Sequence, residues 1–351
     1  MVLRAKRMEH RRKAVEESNH SWRSSFAQMT TQPEPLMRFH RALVISVVAA
    51  VVLYVGSSFF TGTEDVFRAV SRVDLRIWIL VLGLSALNYL LRFCRWQWYL
   101  ARLGHVLPPL RHLMYYLAGF ALTTTPGKMG EAIRSIYLKP HGVSYADSLA
   151  ALFVERFLDM LAVLLLGLLV VRFFSDVWWP SIFAATLIGA ILTAVSRPDL
   201  QHAITARLKR SRSPRIQRLG GHLSSLIRSS EALLSSRRLV GGVMLGLIAW
   251  GAEGIGFYLI LRGLEAEVAT SVAIGVYAAG ILIGALSFIP GGLGSAEAAM
   301  VLMLSVLGMD LSTAIAATIV CRVATLWFAV ALGFCALAVI EAGRGRSLKP
   351  K

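Results

Sequence analysis

Six predominantly apolar segments along the 351-residue chain are long enough, or nearly so, to cross a lipid bilayer: Ala42–Phe60, Ile77–Leu91, Ala146–Val171, Val177–Val195, Leu239–Leu261 and Thr313–Ile340. A helix needs about 20 apolar residues to cross a hydrocarbon core about 30 Å thick. Only 16% of the residues are charged, whereas a soluble domain carries about 25%. Lipid cannot satisfy backbone polar groups, and these runs lack the alternation of barrel strands. The sequence therefore predicts an all-α, polytopic membrane protein.

The net charge of +17 does not indicate nucleic acid as a partner. Lys and Arg accumulate in the cytoplasmic loops of membrane proteins, and no basic helix is interleaved with stacking aromatics. The three cysteines and eight histidines show no metal-ligand spacing. We expect no metal, no cofactor and no nucleic-acid partner.

Basic segments predict how the chain crosses the membrane, because Lys and Arg mark the cytoplasmic side. Residues 1–41 hold nine Lys or Arg and are expected to form a disordered cytoplasmic arm without a cleaved signal peptide. The loop 197–238 holds ten, and the tail 342–351 is also basic. We expect a transmembrane domain at residues 42–341 of the inner (cytoplasmic) membrane, with both termini cytoplasmic. The stretch Arg92–Trp98, aromatic and basic, is typical of an anchor at the cytoplasmic interface.

Two proline–glycine runs interrupt the apolar pattern, Pro126–Glu131 and Pro290–Gly294. The basic segments predict that the chain on both sides of the first run lies on the cytoplasmic side of the membrane. The segment Thr270–Leu307, which contains the second run, is predicted to begin and end on the outer side. This predicts about six full spans plus two re-entrant helical hairpins, arranged as an inverted repeat. Alternatively, the roughly 38 residues of Thr270–Leu307 are just long enough for two full crossings.

An acid at or just after each run is separated from a later arginine by the same number of residues. Glu131 and Arg156 are 25 residues apart (156 − 131), as are Glu297 and Arg322 (322 − 297). Inverted repeats with broken helices are a recurrent build of secondary transporters, whose site lies where the breaks meet. Glycines let backbone approach a ligand, and the half-helix that follows offers N–H groups to an anion. The candidate glycines are Gly127, Gly130, Gly291, Gly292 and Gly294. The alternative is that proline and glycine simply mark loops.

Charged residues inside apolar helices are the other candidate site residues, because charge in a membrane is costly and faces the protein interior. We predict that Arg134, Arg156 and Arg322 bind an anionic head group. The acids that would orient these arginines or carry protons are Glu131, Glu155, Asp159 and Glu297. The alternative is an ion-pair lattice that only holds the helices in register. Glu253, in the middle of its span, has two open hypotheses: a neutral protonated carboxyl, or a proton-coupling group.

This ordered set of motifs resembles the transmembrane region of lysylphosphatidylglycerol synthases, a flippase-like family with stand-alone members. The resemblance covers roughly residues 40 to 340 and rests on these positions: Pro-Gly-x-x-Gly-Glu-x-x-Arg at 126–134, Glu-Arg-x-x-Asp at 155–159, Pro-Gly-Gly-Leu-Gly at 290–294 followed by Glu297, and Arg322. It implies a membrane domain that moves or accommodates a lipid between leaflets. Two-domain members add a soluble domain that transfers an aminoacyl group from tRNA to phosphatidylglycerol. Since about ten residues follow the last predicted helix, we expect that activity to be missing.

Translocation of an anionic or phosphate-linked membrane lipid, without enzymatic activity, is the function that these observations favour. Two alternatives stay open. One is a non-catalytic membrane partner of a lipid-modifying or glycosyltransferase system, and the other is an intramembrane lipid-linked transferase that uses the buried acids.

Overall fold

The computed structural model describes residues 73–125, 130–171 and 236–347, together with Ser71 and a few residues between these ranges. The predicted span Ala42–Phe60, nearly all of Val177–Val195 and of the basic loop, and the residues 126–129, including Gly127, lie outside the described part. So do the amino-terminal arm and the last four residues.

Within the described ranges, the regular structure is helical throughout. The α-helices are α1 (Leu75–Arg102), α2 (Pro109–Ala118), α3 (Ile133–Leu138), α4 (Tyr145–Val171), α5 (Ser236–Gly263), α6 (Thr270–Leu286), α7 (Ser295–Val306), α8 (Leu311–Arg322) and α9 (Phe328–Ser347). Short 3₁₀ turns at Gly119–Leu122, Lys139–His141 and Pro290–Gly292 connect some of them.

Three long apolar helices among the described residues meet the requirements of a membrane span: Leu75–Arg102, Arg238–Gly263 and Leu311–Ala342. The helix α4 is 27 residues long, about 40 Å at 1.5 Å per residue, but carries Glu155, Arg156 and Asp159 near its middle. Shorter apolar helices lie at Thr270–Leu286 and within Pro290–Val306. The prediction of an all-α, polytopic membrane protein is confirmed.

The two predicted breaks both separate short helices. Before the first break, α2 begins with a proline at its first position, where no backbone donor is lost, and tightens into the 3₁₀ turn Gly119–Leu122. The chain resumes as the six-residue α3. The second break separates α6 from α7 through the 3₁₀ turn Pro290–Gly292. None of α2, α3 and α7 is long enough to cross a bilayer alone.

Helix α5 lies at the centre of the packing, in contact with α1, α4 and α6, and α6 also packs along α4 and α7. Helix α9 packs on α2 and on the 3₁₀ turn that follows it. Gly333 of α9 lies directly against the backbone of Phe120 and Ala121, where a methyl group would clash. Small residues of this kind allow helices to approach closely in membranes, where packing rather than hydrophobicity drives association.

The last helical stretch contains a π-helical segment, Val323–Trp327, immediately after Arg322. The Tyr89 hydroxyl of α1 donates a hydrogen bond of 2.5 Å to the Thr325 carbonyl oxygen within it. A side chain that donates a hydrogen bond to a carbonyl oxygen of a helix is a recognised cause of local irregularity in that helix. Segments of π-helix often occur at functional sites. This segment lies beside the charged groups described next.

Candidate functional site

Glu155 of α4 is the centre of a buried ion-pair network. Its side chain is fully buried. Its Oε1 accepts hydrogen bonds from the Tyr116 hydroxyl at 2.7 Å, from Arg156 at 2.7 Å and from Arg92 at 3.3 Å. Its Oε2 accepts from Nη1 of Arg134 at 3.1 Å. Three guanidinium groups therefore share one carboxylate, which offsets the cost of burying it.

Glu131 joins the two sides of the first break to this network. It follows the break and forms an ion pair with Arg134 at 2.8 Å and a longer one with Arg156 at 3.6 Å. The hydroxyl of Thr123, which precedes the break, donates to Glu131 Oε1 at 3.0 Å. Glu131 and Arg134, two of the predicted site residues, thus lie together with the charged groups of α4.

Asp159, one turn further along α4, binds three arginines in the same way. It pairs with Arg95, with Arg92 at 3.3 Å and with Arg156 at 3.0 Å. Arg95 also donates to the Gly242 carbonyl oxygen of α5 at 3.1 Å. The network thus joins α1, α4, α5 and the segment around the first break.

Aromatic rings cover two of the guanidinium groups of this network, those of Arg92 and Arg134. The Cζ atom of Arg134 lies 3.9 Å from the centre of the Tyr116 ring. The Cζ atom of Arg92 lies 5.3 Å from the ring centre of Trp250 and 5.6 Å from that of Phe120. Such cation–π contacts stabilise a charge that is removed from water.

A second ion pair connects the second break to the last helix. Nε of Arg322 lies 2.6 Å from Glu297 Oε1, and Nη2 of Arg322 donates to the Gly291 carbonyl oxygen at 2.8 Å. The guanidinium therefore holds both the turn of the break and the first turn of α7. Glu297 and Arg322, two of the candidate site residues, thus lie together in the structure.

The two breaks touch each other. Gly291 has a φ of 65°, and a methyl group at its Cα would lie 3.4 Å from the Cα of Thr124, just before the first break. Gly292 also has a φ of 65°, which favours glycine, and its Cα faces the backbone of Gly284. Gly130 packs closely on Leu122, whereas Gly294, with a φ of 82°, borders open space. The described glycines therefore shape the breaks and their contact.

A cavity of about 50 Å³, room for a few water molecules, lies beside this contact. Arg92, Glu253 and Arg322 are its charged lining residues. The uncharged residues in its wall are Tyr89, Phe120, Thr123, Trp250, Tyr277, Ile281, Thr325, Leu326 and Ala329. Glu253 accepts a hydrogen bond from the Tyr277 hydroxyl and is buried. The cavity thus lies between the Glu155 network and the Arg322–Glu297 pair.

Most of the predicted site residues that the structure describes fall into two groups that meet at the cavity, while Glu253 lies in the cavity wall. One group is the Glu155 network, and the other is the Arg322–Glu297 pair with the second break. Of the predicted arginines, Arg322 lines the cavity, while Arg134 lies within the network, fully buried against Tyr116. Arg156 is the most exposed arginine of the network, at 19% of its side chain.

Sequence reasoning missed Arg92 and Arg95, which were interpreted as interface anchors. That interpretation is wrong for both side chains, because they are 5% and 0% exposed and are paired with the acids of α4. A signal was present in the helical spacing, because the buried polar residues of α1 lie three or four apart on one face: Ser85, Asn88, Arg92, Arg95 and Tyr99.

The sequence matches the family described as lysylphosphatidylglycerol synthase TM region over residues 41–333. The chain is similar to a UPF0104 membrane protein of Pyrococcus horikoshii, with 22% identity over 324 residues, which covers 85% of this chain and 96% of the relative. A UPF0104 membrane protein of Methanothermobacter thermautotrophicus is 24% identical over 325 residues, covering 85% and 95% of the two chains. The family match includes every charged residue of the network and the cavity, and the resemblance seen in the motifs is confirmed. The chain therefore belongs to the lysylphosphatidylglycerol synthase transmembrane-region family of integral membrane proteins.

Proposed function

We propose that this protein moves an anionic or phosphate-linked lipid between the leaflets of the cytoplasmic membrane. The observation that carries the proposal is the cavity into which Arg92 and Arg322 project from opposite halves of the chain, beside the contact between the two breaks. Buried arginines bind phosphate well because the planar guanidinium offers five donors in a fixed geometry. Membership of a membrane family with lipid-synthase relatives agrees with a lipid as the ligand.

The cavity also limits how transport can occur. The cavity has room for a few water molecules, so we propose that its walls move to admit a complete lipid head group. We propose that the two hairpins form an inverted repeat and that the walls shift around a fixed anion site, as in transporters built from such repeats. The break contact between Gly291 and Thr124 is the place at which the two hairpins would be coupled.

The inverted arrangement predicts opposite labelling of two exposed positions. His141, after the first break, should face the cytoplasm, and Leu311, after the second, should face the outside. In a variant without the three native cysteines, Leu311→Cys should react with a membrane-impermeant maleimide in intact cells, whereas His141→Cys should react only after the membrane is opened. Labelling of both positions from the same side would contradict the inverted repeat.

Lipid movement can be measured in reconstituted vesicles. A fluorescent phosphatidylglycerol in both leaflets is bleached by dithionite added outside, which reaches the inner-leaflet probe only after that probe has moved outward. We expect vesicles with protein to lose nearly all fluorescence and protein-free vesicles to keep the inner-leaflet share. A fluorescent glycolipid without phosphate should stay protected in both, because it offers no anion to the arginines.

A non-transporting partner of a lipid-modifying system is the rival, and the dense pairing of Arg95, Arg134 and Arg156 favours it, since such a lattice can serve register alone. Protection of the inner-leaflet phosphatidylglycerol under either direction of pH gradient, with correctly folded protein in the vesicles, would favour the rival and remove transport.

A further inference from the structure

The π-helical segment Val323–Trp327 forms part of the cavity wall. Four wall residues lie on this segment or directly beside it: Arg322, Thr325, Leu326 and Ala329. The Phe328 N–H donates to the Val323 carbonyl oxygen, five residues earlier, whereas an α-helix pairs residues four apart. The segment therefore holds about one residue more in its turn than the helices on either side of it, α8 and α9.

Both flanks of this segment are attached to the breaks. At its start, Arg322 donates to the Gly291 carbonyl oxygen at 2.8 Å and pairs with Glu297. Beyond its end, Gly333 lies against the backbone of the turn before the first break, where an added methyl carbon would come within 2.1 Å of the Ala121 nitrogen. Rotation of either flank would disrupt these contacts, so a movement of this part of the wall has to occur between them.

A π turn allows such a movement. If the extra residue moves by one turn along the helix, the residues that it passes shift by one helical position, which is a rotation of about 100°. Thr325 and Leu326 lie on that stretch and would turn relative to the cavity, while Arg322 and Gly333 keep their contacts. The wall can thus change shape while the arginine stays in place to bind a phosphate.

Tyr89 of α1 holds the segment in its present form. Its hydroxyl donates to the Thr325 carbonyl oxygen at 2.5 Å. Its ring lies 5.1 Å from that of Phe120, before the first break, and 6.0 Å from that of Phe328, at the start of α9. Tyr89 also lines the cavity, and its hydroxyl has one proton to donate. A phosphate oxygen that enters the cavity therefore competes with the Thr325 carbonyl for this hydrogen bond.

We propose that Tyr89 is a positioning residue that couples entry of the lipid head group to movement of the π segment. The entering phosphate accepts the hydrogen bond of the Tyr89 hydroxyl, and the extra residue then moves one turn toward Gly333. A charged acceptor binds a hydroxyl more strongly than a carbonyl does, which favours this change. No proton is transferred. The inference rests on the proposed function and deepens it, because it names the part of the wall that moves.

Amide hydrogen exchange of the full chain in detergent measures this movement, because the extra residue can move only if backbone hydrogen bonds of residues 323–328 open. Tyr89→Phe removes the hydroxyl and keeps the ring. We expect exchange at residues 323–328 to be roughly two- to tenfold faster in this variant, the effect of losing one hydrogen bond. Exchange at residues 334–342, beyond Gly333, should keep the rate of the wild type.

The wild-type chain provides a second readout that needs no substitution. Short-chain phosphatidylglycerol should accelerate exchange at residues 323–328, and Tyr89→Phe should lose this dependence on the lipid. A short-chain glycolipid without phosphate should have no effect. Equal acceleration by inorganic phosphate would assign the site to a free anion and overturn the lipid as its ligand.

Tyr115→Phe is the matched control, because it removes a hydroxyl that also makes one hydrogen bond, to His141 at 3.0 Å. It should leave exchange at residues 323–328 unchanged. Wild-type exchange at residues 323–328 in Tyr89→Phe, or an equal increase at residues 334–342, would overturn the role of Tyr89. The dithionite assay decides the proposed function separately, because lipid movement by the wild type does not depend on which part of the wall moves.

Discussion

Replacing Glu155 with glutamine lowers the free energy of unfolding by about 3–5 kcal/mol, the range found when one partner of a buried ion pair is removed. The reason is geometric, because Arg92, Arg134 and Arg156 all donate to this one carboxylate. Glutamine keeps an acceptor oxygen but removes the charge and replaces the other acceptor with a donor. SDS titration of the purified protein measures the change.

The exposed Glu267 provides the matched control for this experiment. Glu267→Gln should change the unfolding free energy by less than about 0.5 kcal/mol, as is usual at the surface. The double variant Glu155→Gln with Arg134→Gln removes one charge of each sign and should be less destabilised than the sum of the two single variants. Additive losses in the double variant would mean that the two side chains do not stabilise each other.

Replacing Arg322 with glutamine should slow lipid movement by about 10- to 100-fold, because a hydrogen bond to a charged group contributes about 1.5–3 kcal/mol and 1.4 kcal/mol is a factor of ten. Arg322 combines three roles in the structure: it lines the cavity, pairs with Glu297 and holds the Gly291 carbonyl. Arg322→Lys should recover only part of the rate, since an ammonium group cannot reproduce the planar fork. The dithionite assay with fluorescent phosphatidylglycerol gives the rates.

Comparison with Glu297→Gln distinguishes anion binding from a structural role of the pair. If Arg322 binds the head group, Glu297→Gln keeps the cation in the cavity and should retain much more transport than Arg322→Gln. If the pair only holds α7 against α8, the two variants should lose transport to the same extent. Arg262→Gln, at the exposed end of α5, should behave as the wild type.

The sequence predicted most helix positions because their apolar runs end at charged or glycine-containing turns. Helix α4 was predicted at Ala146–Val171 and lies at Tyr145–Val171, and α5 was predicted at Leu239–Leu261 and lies at Ser236–Gly263. Helix α1 was predicted to end at Leu91 but continues to Arg102. The error arose because charge at the end of an apolar run was taken to mark the membrane surface. The helix instead continues past Arg92 and Arg95, whose side chains form ion pairs in the protein interior.

The members of the candidate site were largely predicted, but their pairing was not. The repeated proline–glycine runs and the charged residues near them indicated that Glu131, Arg134, Glu297 and Arg322 belong to the candidate site. Which arginines share Glu155, and the position of Glu253 in a cavity wall, depend on how α1, α5 and α8 pack. The π-helical segment after Arg322 is also a tertiary effect, since the Tyr89 hydroxyl that binds it comes from another helix.

The close approach of Gly291 to Thr124 limits what position 291 can hold. A Cβ added at Gly291 would meet the Cα of Thr124 at 3.4 Å, an ordinary van der Waals distance, so the space alone admits a methyl group. The φ of 65° at Gly291 would still strain any side chain there. A substitution at this position therefore carries a conformational cost even where the space allows it.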